Sequence, residues 1–162
     1  MYVLKKDMKL SGLDIAKYIL SKRKCTHLEL EKLTYLCYAD YLCKYKKRLC
    51  EDFIYAFTFG PVVDSVYERY SRNHEILGGE ISESVAKSRI LFLSDGAEKA
   101  SSIDLTLQKY MKCTAHQMVQ ITHSKGSPWD MKDASKAYQI IDDDLIMERH
   151  FIEEEYFEKH YS

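Results

Sequence analysis

The stretch THLELEKLTYLCYADYLCKY (Thr26–Tyr45) decides the fold. Thr26 can cap a helix, and Glu29, three residues on, completes a capping box. Behind the cap, Leu28, Leu30, Leu33, Leu36, Cys37, Ala39, Leu42 and Cys43 share the segment with Tyr35, Tyr38, Tyr41 and Tyr45. These side chains fall on nearly every side of a helix rather than on one stripe. A helix that is apolar all round is a central one, enclosed by others. It runs out in KYKKR (Lys44–Arg48), cations suited to the negative end of the helix dipole.

Helices can be placed around this axis. On the N-terminal side a helix is expected from Gly12 to about Ser21, with Ile15, Ala16, Ile19 and Leu20 facing inward. DFIYAFTF (52–59) is short, aromatic and β-branched and reads as a strand. Gly60 then breaks the run, and Pro61 suits the first position of a helix reaching about Ser71. Val63, Val66, Tyr67 and Tyr70 would form one face of that helix. Gly78-Gly79 marks a turn, and RILFL (89–93) is a second strand candidate, to pair with the first or with a third short segment.

Asp95 with Glu98 can cap a helix carrying Ile103, Leu107, Tyr110 and Met111. Thr114 with Gln117 forms another capping box, for a helix to about His123 that Gly126 stops. Ser127-Pro128-Trp129 makes a turn in which the lone tryptophan should plug the core. A last helix starts near Asp142, its acidic first turn stabilised by the dipole. The expected fold is mainly α: a compact single-domain bundle (1–162) of about six helices around a central helix, with a small β element.

Composition narrows the function classes. A hydrophobic fraction of 46% and a charged fraction of 30% are globular values and exclude a disordered chain. A net charge of −1 gives no general case for binding nucleic acid or anionic membranes. Charge is uneven, with 12 Lys/Arg against 5 Asp/Glu in residues 1–50 and 2 against 8 in residues 142–162. Two ends that attract each other account for this more simply than a partner surface. No apolar run approaches the ~20 residues that cross a bilayer. MYVLKKDMKL at the start has no apolar signal-peptide core, so the expected location is the cytoplasm.

Candidate chemistry is sparse. Cys25, His27, Cys113, His116 and His123 match no strong zinc spacing. Cys25, Cys37, Cys43, Cys50 and Cys113 make an odd count without a CxxC pair, and read as reduced, buried small hydrophobes. No signature singles out a thiol nucleophile, and neither GxGxxG nor GKS/T is present. The triplets DDD (142–144) and EEE (153–155) read as a solvated helix start and a solvated helix face. No metal and no cofactor are expected. Tyrosine is the unusual residue, with 13 copies. Its ring supplies contact area and its hydroxyl a polar tip, which suits a core edge or an interface.

The segments in order resemble the Panacea domain, also called the SocA-like antitoxin domain and described as phage-associated or GepA-like. The resemblance spans about Leu13 to Phe157. It is carried by LxKLxY (Leu30, Lys32, Leu33, Tyr35), by the GPV corner (Phe57, Gly60, Pro61, Val62) and by Thr122, His123, Pro128 and Trp129. Phe57 stands where many members have tryptophan, a conservative change. Both prolines of the chain fall within these motifs, so the corner is expected to be structural. The resemblance implies a mainly helical bacterial or phage-borne antitoxin that neutralises a separately encoded toxin by direct protein contact. For some members it implies an adaptor role, delivering the toxin to a protease. It implies no catalytic constellation. Tyr67 and Tyr70, on a short helix beside the corner, are the expected partner contacts. The alternatives are a thiol- or metal-dependent enzyme, or a nucleic-acid-binding regulator.

Overall fold

The structure, a computed structural model, describes residues 9–162. The N-terminal stretch read above for a leader lies largely outside the described residues. In the described residues the helices are α1 (Gly12–Lys22), α2 (His27–Tyr45), α3 (Asp64–Tyr70), α4 (Glu83–Leu91), α5 (Gly96–Tyr110), α6 (Ala115–Thr122) and α7 (Asp143–His160). Two strands, β1 (Ile54–Phe57) and β2 (Gly60–Val63), form an antiparallel hairpin. The chain is mainly helical with a small β element, as the sequence led us to expect.

α2 is the axis. It packs against α1, α3, α5, α6, α7 and β2, and every residue from Leu30 to Ala39 is buried. The expected Thr26–Glu29 capping box forms in both directions. The α2 tyrosines resolve the choice between core and interface. Tyr35, Tyr38 and Tyr41 are fully buried, and each hydroxyl reaches out to a carboxylate on a neighbouring helix. Tyr35 donates to Glu153 at 2.7 Å, Tyr38 to Asp143 at 2.6 Å and Tyr41 to Glu98 at 2.7 Å. The rings fill the core while the hydroxyls tie α7 and α5 to the axis.

Three expectations about the small elements are corrected. RILFL is not a strand: Arg89–Leu91 end α4, which Ser82 caps through the Val85 N–H. Ala86 and Ile90 are its buried residues, four apart, so the run is the end of a helical stripe. DFIYAF does form a strand, and its partner is a third short segment, residues 60–63. Pro61 therefore lies within β2, and α3 begins three residues later at Asp64. Asp95 precedes α5 without a side-chain cap bond. Its carboxylate faces Lys47 and Lys99 instead.

Pro61 is tolerated in a strand because its position needs no N–H. In the Ala56–Pro61 pair the polar groups turn outward: Ala56 N–H donates to the Gln139 carbonyl at 2.8 Å, and the Pro61 carbonyl faces α2. Ile141 N–H donates to the Ile54 carbonyl at 2.8 Å, so the segment 139–141 closes the β1 edge. Two adjacent charged side chains of α2 close the β2 edge. Lys32 Nζ donates to the Pro61 carbonyl at 2.7 Å, and Glu31 Oε1 accepts from Val63 N–H at 3.2 Å. A sheet of two strands is thus left with no open edge to invite pairing by another chain.

Candidate functional site: an aromatic strip and groove beside the hairpin

The three motif segments, distant in sequence, meet at the hairpin. Lys32, 0% exposed, holds Pro61 from the α2 side. Gly60 has φ +114°, and a Cβ there would lie 2.9 Å from Lys32 Cε and 3.0 Å from Thr122 Oγ1. Only glycine fits both the backbone angle and the space. Trp129 Nε1–H donates to the Phe57 carbonyl at 2.6 Å, and its ring stacks on His123 at 3.7 Å. Trp129 is half-buried against the core rather than enclosed by it. Leu30 and Leu33 are core residues, Val62 is 6% exposed, and Thr122 and Pro128 are buried.

β1 has apolar residues on both faces. Ile54 and Ala56 point into the core, while Phe53, Tyr55 and Phe57 alternate outward. The outward rings lie 6.3 Å and 6.1 Å apart in sequence order. Tyr138, 65% exposed, packs edge-on against Tyr55 at 5.4 Å and Phe57 at 5.7 Å. The result is a surface strip of four aromatic rings. It runs into a groove of about 740 Å³ between the start of α2, the hairpin tip, α3 and the 134–138 segment.

Of the two tyrosines singled out from sequence, Tyr67 lines this groove, edge-on to Phe57 at 4.7 Å. Tyr70 is 3% exposed and belongs to the core, so it has no surface to offer. Phe59 (67% exposed), Phe53, Tyr55 and Tyr138 were not singled out. The signal for the first three was present: an all-apolar strand in a two-stranded sheet must leave one face outside.

The groove floor is polar. Glu31 is 1% exposed, and its Oε2 lacks a hydrogen-bond partner. His27 Nε2, also unpartnered, lies 3.7 Å from it. Burial pushes the Glu31 carboxyl above its ordinary value. Burial depresses the Lys32 ammonium to about 8, opposed by the neighbouring Glu31 charge.

The thiols show no sign of activation. Burial raises Cys25 and Cys50 to about 12 and Cys43 to about 11. A reactive cysteine needs a lowered value. Cys25, His27, Cys113, His116 and His123 do not converge; among the described residues one cluster of ligand-type atoms occurs, at Asp40, His150 and Glu154. The expected solvated face EEE is corrected here too. Glu153 is 0% exposed and accepts from Tyr35 and His150.

The family model for the "Antitoxin SocA-like, Panacea domain" matches residues 30–130, more than half of the chain. "Antitoxin SocA" of Caulobacter vibrioides (strain NA1000 / CB15N) is 27% identical over 110 residues, which cover 65% of this chain and 58% of that protein. The chain thus spans little more than half the length of this curated relative. No solved structure matches. The matched residues run from the α2 core through the hairpin to Trp129 and Asp130, the segments that converge above, and the chain belongs to the SocA-like antitoxin family as a Panacea domain.

Proposed function

We propose that this protein is an antitoxin that neutralises a cognate toxin, encoded nearby, by binding it in the cytoplasm without catalytic turnover. Family membership supports the antitoxin role. The observation that carries the binding mode is the strip Phe53–Tyr55–Phe57–Tyr138 running into the Tyr67 groove. Contiguous exposed aromatic surface marks protein contact sites, and a few aromatic anchors dominate such interfaces. The raised thiols argue against a cysteine enzyme, and the net charge of −1 against a nucleic-acid regulator. Delivery of the bound toxin to a protease, implied for some members, would use a face away from this strip.

The test is co-expression with the adjacent gene. Wild type should rescue growth and co-purify with the toxic product. A Tyr55→Ala/Tyr138→Ala variant should stay folded and lose both. A neighbour that is harmless alone, or rescue that survives loss of the strip, contradicts the reading.

A further inference from the structure

We propose that Asp40, His150 and Glu154 form a binding site for a divalent first-row transition ion such as Zn²⁺, where α7 packs on α2. The proposal is independent of the antitoxin reading. His150 and Glu154 are four apart on α7, so both project from one face toward Asp40 on α2. Asp40 Oδ1, His150 Nε2 and a Glu154 oxygen all lie within 4.8 Å of one another. An ion held at about 2.0–2.2 Å from each needs ligand atoms separated by about 3.0–3.5 Å. His150 Nε2 and Glu154 Oε1 are at 3.5 Å; His150 Nε2 and Asp40 Oδ1, now hydrogen-bonded at 2.7 Å, must open by about half an ångström.

The supporting groups are arranged as they are behind metal ligands. Histidine ligands ordinarily give their second ring nitrogen to a carboxylate, which fixes the tautomer. His150 Nδ1 is 2.8 Å from Glu153 Oε1, which also accepts from Tyr35. The second oxygen of Asp40 accepts from Thr106 at 2.7 Å and Lys109 at 3.0 Å, leaving Oδ1 to point at His150. Glu154 is about half exposed, and among the described residues its polar contact is the long one to His150. A cavity of about 340 Å³, lined by Asp40, Cys43, Lys109 and Glu154, opens on the cluster and supplies an entry path and room for water ligands.

The purified chain, stripped with EDTA, would be titrated with Zn²⁺ by calorimetry in two buffers of different ionisation heat. We expect one equivalent bound with release of about one proton, and a melting temperature that rises with free Zn²⁺. Glu154→Ala, at a half-exposed position, should fold normally and lose at least tenfold in affinity, whereas Cys25→Ser, remote from the cluster, should not. His150→Gln should abolish binding if it folds; Glu154→Ala decides the matter if it does not. No uptake overturns the proposal. So does uptake unchanged by Glu154→Ala, which would assign the zinc to the cysteines or to other histidines.

Discussion

The ammonium of Lys32 donates to the carbonyl of Pro61 at 2.7 Å, with both residues buried. A charged side chain here does the work of a missing strand, and Glu31 beside it serves the Val63 N–H. Changing Lys32 to Met keeps the volume and removes the donor. It leaves the Pro61 carbonyl unsatisfied and removes the positive charge of Lys32 that favours an ionised Glu31. We expect a loss of about 1–3 kcal/mol, because an orphaned buried acceptor costs more than the net worth of its bond. Urea denaturation with unchanged slope measures it. A variant as stable as wild type would mean that the apolar gain outweighs the bond, as it can for buried charges.

The same contact shows what the sequence could reveal. α2, its capping box and its central position were legible because period and cap chemistry are local. The three motif segments were legible as landmarks, but their meeting was not. No local rule says that Lys32 reaches the carbonyl of a proline 29 positions on. Pro61 was read as a helix start because an outward-facing strand position also tolerates a missing N–H. RILFL misled because a run of four apolar residues, Ile90–Leu93, fits either period. Glu153 looked solvated inside an acidic triplet, since its partners Tyr35 and His150 are joined to it only by the packing of α2 on α7. Asp40 and Glu154 were invisible as a pair for the same reason.

Trp129 separates two effects. Trp129→Phe keeps an aromatic ring against His123 and deletes the bond from Nε1–H to the Phe57 carbonyl. The expected cost is about 1 kcal/mol. Trp129→Ala also removes the stacked ring and should cost more, though below the ~3–5 kcal/mol of a fully enclosed tryptophan. Thermal unfolding followed by circular dichroism would rank the three proteins. Equal melting of wild type and Trp129→Phe would show that the bond contributes nothing.

Cys50 gives a pH prediction. Burial pushes its thiol to about 12, above the unfolded value near 8.5–9. Below pH 8.5 the thiol is neutral in both states and its contribution is complete. As pH rises above about 9 the unfolded chain ionises first, and stability is lost until the folded thiol titrates. The gap between wild type and Cys50→Ala should therefore shrink by about 1.4 kcal/mol per pH unit between pH 9 and 11. In the native protein at pH 8 the thiols should react slowly with a thiol reagent; all five should react in denaturant. A gap that stays constant with pH would place the folded thiol at an ordinary value.

Tyr67 and Tyr70, three residues apart on α3, should divide binding from folding. Tyr70 is 3% exposed, and replacing it with Ala opens a cavity in the core. About 3 kcal/mol of stability should be lost, enough to lower the melting temperature clearly in a chain of this size. Tyr67 is half-buried, with its ring edge-on to Phe57 at 4.7 Å on the groove wall. Tyr67→Ala should cost about 1 kcal/mol of stability, since part of its ring already faces water. Its effect should appear in the complex instead. An aromatic anchor at an interface typically contributes about 2 kcal/mol or more, so affinity for the toxin should fall roughly 30-fold. Thermal unfolding of each variant, paired with calorimetric titration of the co-purified partner, reads both quantities. If Tyr67→Ala binds as wild type does, the groove wall is not the contact surface. A Tyr70→Ala protein that remains fully stable yet loses binding would instead put the interface on the opposite side of α3.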